Sequence, residues 1–316
     1  MANILIAGGG IGGLAAALGI AGHGHRVTVL ERRNDFTELG AGIQLGPNAF
    51  HALDLLGVGA QVRSRAVYID ELRFMDGTTG ERVASMPLTG EYRARFGNPY
   101  AVVQRSDVYE PLLEGCRAHP LIQLRGTSPV VSYENGGRGP DRVSAVLASG
   151  ERITGDALIG ADGIRSAVRR RLVRDGEPRV SGHTIYRSVI PMELVPEELR
   201  WNTVTLWAGP KWHFVHYPIG GGAFLKPGRD PATTRRGRPS SAGRPPAHTC
   251  WTSSRSWATP PGGCWSSAGT GRPGCCATAT RSTCGRTAGW LCWATPRTRC
   301  SSTRRRAPAR PWRTRW

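Results

Sequence analysis

Apolar residues fall at strand spacing from the start of the chain. Asn3 to Ala7 is a short apolar run with β-branched members, and glycines end it at once. Ile11 to Ala21 is rich in Ala and Leu at helical spacing, and Arg26 to Glu31 is a second strand-like run. Together they predict a β-α-β unit. Pro47 to Leu56 reads as a helix with Asn48 as its cap. Tyr68–Met75 and Glu81–Met86, split by Asp76-Gly77, read as a hairpin. Ser106 is positioned to cap a helix that runs to Cys116. Strand patterns follow at Leu121–Leu124, Val130–Tyr133, Val143–Leu147 and Ala157–Ala161, then a basic helix at Arg165–Leu172. Three further strand-like runs occupy Thr184–Ile190, Val204–Trp207 and His213–Tyr217. After about Gly222 this grammar stops. From Pro231 onward there is no Ile, Val, Met, Phe, Tyr, Asn or Gln, and Leu291 is the only aliphatic residue larger than Ala. Such a stretch buries too little apolar area to offset chain entropy, so it is predicted to be disordered.

Charge divides the chain at the same place. The 316 residues carry a formal +19, which ordinarily suggests a nucleic-acid or membrane-surface partner. Asp230 is the last acidic residue, and the 86 residues after it hold 16 Arg and no Asp, Glu or Lys. Without them the balance is 26 basic against 23 acidic, that of an ordinary soluble protein. Basic nucleic-acid binders interleave Lys and stacking aromatics on a folded platform, and this tail has only Trp, so no specific nucleic-acid partner is expected. Cys116 is the only cysteine before residue 250 and reads as a buried thiol; seven more follow without a CxxC pair, so no metal site is expected. The first apolar run passes straight into glycines, and no apolar stretch of about 18 residues occurs, so the expectation is a cytoplasmic protein without a membrane segment.

The chemistry begins at Gly8-Gly9-Gly10-Ile11-Gly12-Gly13, a GxGxxG carried by Gly8, Gly10 and Gly13 between a strand and a helix. Gly8 permits the tight turn, Gly10 lets the backbone approach a pyrophosphate, and Gly13 allows close helix–strand packing. The helix N-terminus offers its dipole and free N–H groups to phosphates. Glu31 ends the second strand, where a carboxylate can accept from ribose hydroxyls. These residues predict dinucleotide binding but do not separate FAD from NAD.

Three later segments separate them by resemblance. Gly40-Ala41-Gly42-Ile43-Gln44-Leu45-Gly46-Pro47-Asn48 resembles the flavin-crossing segment of the flavin-dependent aromatic hydroxylases. Gln104-Arg105-Ser106-Asp107 resembles their R-x-x-L element, with Val108 where Leu is usual. The run from Asp156 through Asp162-Gly163 to Ser166 resembles their DG motif. The resemblance covers about residues 1–222. It implies an α/β fold: an FAD-binding GxGxxG Rossmann-type domain with an interleaved β-sheet substrate domain. The divisions expected are an FAD-binding domain over 1–175 with a β-rich insertion at about 68–100, substrate-domain strands over 176–222, and an aberrant tail over 223–316. Arg105 is then expected near the ribityl and pyrophosphate, and Asp162 in flavin support and NAD(P)H use. The family's use of NADH or NADPH, O2 and a small phenolic acid comes with it, through a flavin C4a-hydroperoxide, and so does a homodimer.

Trp212-His213-Phe214-Val215-His216-Tyr217-Pro218 resembles the strand lining the substrate pocket. Alternation puts His213, Val215 and Tyr217 on one face and Phe214 and His216 on the other. In the 3-hydroxybenzoate 6-hydroxylase branch a His and a Tyr matching His213 and Tyr217 sit beside the phenol, so these two are the candidate catalytic residues. The same strand packs equally well as core. The substrate expected first is 3-hydroxybenzoate, giving gentisate, with salicylate second.

The family's further motif, resembling G-D-A-A-H-P, is absent as written. It reappears out of frame. If each new codon takes the third base of one residue and the first two of the next, Cys292-Trp293 forces Leu and Trp293-Ala294 forces Gly. From Leu291 through Thr303, G/C-rich codons then permit L-L-G-D-A-A-H-P-L-L-Q-Y. Gly269 to Ser282 and Arg305 to Trp316 permit further family-like stretches in the same frame. The tail therefore reads as a frameshifted translation entered between about Gly222 and Gly269, and the chain as written as an impaired or inactive form of the enzyme.

Overall fold

A computed structural model of the chain describes residues 1–37, 42–136, 142–231, 278–283 and 292–294. In chain order the elements begin with β1 (Asn3–Ala7), α1 (Ile11–Gly22), β2 (Arg26–Leu30), β3 (Gly42–Leu45), α2 (Pro47–Leu55), α3 (Gly59–Arg63) and β4 (Val67–Tyr68). Next come β5 (Glu71–Asp76), β6 (Arg82–Pro87), α4 (Glu91–Phe96), β7 (Ala101–Gln104) and α5 (Arg105–Ala118). Then follow β8 (Ile122–Arg125), β9 (Val130–Asn135), β10 (Val143–Leu147), β11 (Arg152–Gly155), β12 (Ala157–Gly160) and α6 (Ala167–Val173). The last are β13 (Val180–Arg187), β14 (Ile190–Pro191), β15 (Thr203–Gly209), β16 (Trp212–Ile219), β17 (Phe224–Pro231), β18 (Thr278–Thr283) and β19 (Cys292–Ala294).

Strands β12, β1, β2 and β8 form a parallel sheet in that order, with β19 antiparallel at the β12 edge. Alternation along β1 divides the core. Ile4 and Ile6 face α1, α2 and α5 and pack with Leu14, Phe50 and Leu112, while Leu5 and Ala7 face the β9–β11 sheet and pack with Tyr133 and Val143. Burial on both faces explains why these strands read as continuous apolar runs. Cys116 is fully buried against α1, where its thiol donates to the Leu14 carbonyl at 3.4 Å; burial pushes it up to about 12, so it is inert.

The second large sheet runs β18-β13-β17-β16-β15-β5-β6, with β14 beside β17. The hairpin β5–β6, from the insertion at about 68–100, joins it through a parallel pairing of β5 with β15. Its Asp76-Gly77 turn is held by the Asp76 carboxylate, which accepts from the N–H groups of Thr78 and Thr79. A small sheet, β3-β7-β4, lies against the second one. There Val102 packs with Val204, Tyr217 and Ile219.

Several local expectations are corrected. Helix α5 starts before Ser106: Gln104 is its N-cap and shares a reciprocal capping box with Asp107, a pairing that supplies two bonds where Ser106 would supply one. Helix α2 is capped by Gly46, since Pro47 takes the first helical position, which needs no N–H donor; Asn48 lies inside the helix. The strand grammar also does not stop at Gly222. β17 pairs with β16 along its whole length and buries Leu225 and Lys226. Within the tail expected to be disordered, Thr278–Thr283 and Cys292–Ala294 are strands; the rest of that expectation lies outside the described residues, as do Gly40 and Ala41.

Candidate active site

Two of the quoted motifs meet at the C-terminal ends of β1 and β12. Gly8 has φ +105°, and a Cβ there would run into the Ala161 carbonyl, so the glycine turn packs directly on the Asp162-Gly163 motif. A Cβ on Gly13 would run into the Gly8 carbonyl oxygen. At Gly10, by contrast, a Cβ would meet nothing within 4 Å. Gly10 is the N-cap of α1, whose first turn carries no acidic residue and points N–H groups without intrahelical acceptors into that open space. An anionic pyrophosphate fits this cradle, and the donor set matches it. Glu31 stands beside it: its carboxylate accepts from the Gly9 N–H at 2.7 Å and the Arg33 N–H at 3.0 Å, leaving lone pairs for ribose hydroxyls.

Asp162 is committed inside its own turn. Its carboxylate accepts from the backbone N–H of Ala167 at 2.7 Å and from the Ser166 hydroxyl, which holds the start of α6. Arg105 is the first residue of α5, directly after Gln104, and Gln104 pairs with Gly42 across β7 and β3. The R-x-x-L element and the flavin-crossing segment are therefore neighbours.

His213, Val215 and Tyr217 share one face of β16 and line a cavity of about 210 Å³ with Gln44, Ile185, Arg187, Lys226 and Gly228. His213 is exposed at its mouth. Tyr217 is buried deeper and its hydroxyl donates to the Gly42 carbonyl at 3.0 Å. The Lys226 ammonium donates to the same carbonyl at 2.8 Å and to the Tyr217 oxygen at 2.7 Å. This three-way contact ties the nucleotide-side segment to the cavity wall. It requires a glycine, because a Cβ on Gly42 would stand 2.7 Å from the Tyr217 ring. Burial raises the Tyr217 hydroxyl to about 12. Burial, then the charges of Arg187 and Arg105, bring Lys226 down to about 8.

Arg187, Gln44 and Lys226 were not singled out by sequence. Arg187 alternates with Ile185 along a strand-like run, and Lys226 is one of only two lysines in the chain, a rarity that points at a buried role. Its contacts, however, come from residues nine and 184 positions away, which no local pattern encodes.

The opposite face of β16 is structural. His216 is 7% exposed and packs against the rings of Trp201, Trp207 and Phe214, with Arg73 over Trp201 at 4.6 Å. Burial, then the Arg73 charge, hold its imidazole down to about 4. The unfolded imidazole titrates near 6.5, so below that pH the unfolded chain binds a proton that the folded chain refuses, and stability falls as pH falls. The expected loss is about 3 kcal/mol between pH 7 and pH 4. Urea unfolding of the parent and of His216→Phe over this range checks it: the variant should lack that part of the slope, and parallel curves refute the assignment.

A family described as an FAD binding domain matches residues 1–205. The 3-hydroxybenzoate 6-hydroxylase 1 of Aquipseudomonas alcaligenes is 55% identical over 220 residues, which are 70% of this chain and 55% of that protein. The 3-hydroxybenzoate 6-hydroxylase of Polaromonas naphthalenivorans is 46% identical over 219 residues, 69% of this chain and 54% of the relative. The chain thus spans about half the length of the curated relatives it matches. Among solved structures, the tetrameric form of 2-methyl-3-hydroxypyridine-5-carboxylic acid oxygenase superposes with TM-score 0.62 at 23% identity, covering 74% of this chain and 60% of its own. The 2,6-dihydroxypyridine-3-hydroxylase of Arthrobacter nicotinovorans superposes with TM-score 0.60 at 25% identity, covering 75% and 57%. No helix among the described residues is long and apolar enough to cross a membrane.

Proposed function

Because this chain belongs to the FAD-binding family of flavin-dependent aromatic hydroxylases, we propose that it carries the cofactor cradle and substrate pocket of an NAD(P)H-using monooxygenase. The substrate proposed is 3-hydroxybenzoate, hydroxylated with O2 to gentisate by a cytoplasmic homodimer. The observation that carries this reading is the joint at Gly42, where one carbonyl binds both Tyr217 and Lys226 of the cavity wall. The flavin-crossing segment and the pocket wall are thereby joined. Relatives 45% to 55% identical that bear the name 3-hydroxybenzoate 6-hydroxylase favour this substrate over salicylate.

FAD, when bound, supplies the electron transfer and oxygen chemistry. The chain's residues place the substrate. Gly8, Gly10, Gly13 and Glu31 hold the pyrophosphate and ribose, and Arg105, beside the flavin-crossing segment, adds positive charge near them. Asp162 fixes the turn on which Gly8 rests. His213, at the cavity mouth, accepts the phenolic proton on a ring nitrogen, which makes the aromatic ring electron-rich at the carbon to be hydroxylated. Tyr217 keeps its own proton, donated to Gly42, and shapes the wall.

In protein with the tail frame restored, His213→Ala is expected to slow hydroxylation about 100-fold while leaving flavin reduction within about twofold of the parent. Stopped-flow kinetics separates the two steps. Unchanged hydroxylation would return His213 to a packing role.

A further inference from the structure

We propose that Arg187 receives the carboxylate of the aromatic acid and so fixes which edge of the ring faces His213. The proposal rests on the reading of this cavity as the seat of a phenolic acid. The cavity has two cations in its wall, Arg187 and Lys226, and no Asp or Glu among its described lining residues. Lys226 is engaged, with donors committed to the Gly42 carbonyl and the Tyr217 oxygen. The Tyr217 hydroxyl is engaged too, donating to Gly42 while accepting from Lys226. The Arg187 guanidinium makes no hydrogen bond or ion pair with another described side chain, and its charge still reaches both Tyr217 and Lys226. Among the described residues this half-buried guanidinium has no partner, and it stands beside a second buried cation, so the described wall of the cavity is positively charged. An entering carboxylate offsets that charge, and the planar fork of five N–H donors matches that anion.

Strand register puts the two polar ends of the cavity at a suitable separation. Arg187 lies opposite Gly228, and Gly228 opposite Val215, two residues along β16 from His213. Two strand spacings of about 4.8 Å and a two-residue step of about 6.7 Å separate the Arg187 and His213 backbones. Their side chains close part of that gap from opposite ends. The floor between them is Gly228, where a Cβ would find nothing nearer than 3.8 Å. The absent side chain leaves room for a flat ring between guanidinium and imidazole.

The test is calorimetric titration of the protein with its tail frame restored, with 3-hydroxybenzoate and with its neutral counterpart, 3-hydroxybenzyl alcohol. The parent is expected to bind the acid at least about tenfold more tightly than the alcohol. Arg187→Gln should weaken the acid about 10- to 100-fold and leave the alcohol within about twofold, while Arg187→Lys should recover part of the loss. Arg187→Gln with unchanged acid affinity overturns the proposal, and so does equal weakening of both ligands, which marks a structural role. A parent that binds acid and alcohol equally overturns the Arg187 assignment and leaves the pocket reading standing. A parent that binds neither overturns the pocket reading and this proposal with it.

Discussion

Protein made from a gene with the reading frame restored downstream of Gly222 is expected to purify yellow with stoichiometric FAD, while the 316-residue chain beside it is expected to be nearly flavin-free or insoluble. The argument starts from composition. The last 86 residues have 16 Arg, no acid and one aliphatic residue larger than Ala, so they have little to bury against the two sheets. On the frameshift reading, G/C-rich codons there permit the family's motif out of frame, beginning at Leu291. Cys292–Ala294 occupies the edge of the nucleotide-binding sheet, paired with Gly160, Ile159 and Leu158 of β12. The segment whose shifted codons permit L-L-G-D-A-A-H-P thus begins beside the strand that leads into Asp162-Gly163. As written, that edge is followed by Thr295-Pro296-Arg297 in place of an acidic residue, and by a run from Thr303 to Pro308 with no apolar period to dock a helix. Apolar surface left uncovered favours aggregation. Absorbance at the flavin band relative to protein, measured for both forms, decides the matter. A 316-residue chain that is soluble and holds stoichiometric FAD would sink the frameshift account.

What the sequence made legible was local. β1, α1 and β2 were readable because apolar period, glycine punctuation and a terminal acid agree with one another over thirty residues. The two faces of β16 were readable because alternation needs no knowledge of the partner strand: His213 and Tyr217 do share a cavity wall, and Phe214 and His216 do lie opposite. Membership of a sheet was not readable. β5 and β6 pair as the expected hairpin, but the parallel pairing of β5 with β15 joins residues about 130 positions apart. β17 was hidden for a different reason. Leu225 and Lys226 stand in a stretch rich in Gly, Pro and Arg, and its strand state is imposed by the full-length pairing with β16, since its own propensity does not favour it. The Gly42 joint was missed because its partners meet only when two sheets are packed together.

Gly10→Val and Gly13→Val, made in the frame-restored protein, are expected to fail in different ways, and the difference tests how the cradle works. Gly10 has φ −77° and ψ −179°, a conformation any residue adopts, and the space before it is open. Valine there should cost the apoprotein no more than about 1 kcal/mol, the scale of losing a favourable N-cap residue. It nevertheless places two methyl groups where the pyrophosphate must approach the helix N-terminus, so flavin is expected to be lost while the fold persists. Gly13 is the opposite case. Any Cβ there runs into the Gly8 carbonyl, backbone against backbone, and Gly8 is itself held against Ala161. Neither segment can yield without separating α1 from the sheet it covers, through Leu14 and its neighbours. Overpacking of this kind costs about 1–3 kcal/mol and occasionally more, and the variant should lose both stability and flavin. Urea midpoints of the apoproteins, with flavin content of the same preparations, separate the two outcomes. A Gly10→Val protein that keeps FAD would show that the cofactor does not approach α1 at that point, and a Gly13→Val protein as stable as the parent would show that the turn has slack the packing denies.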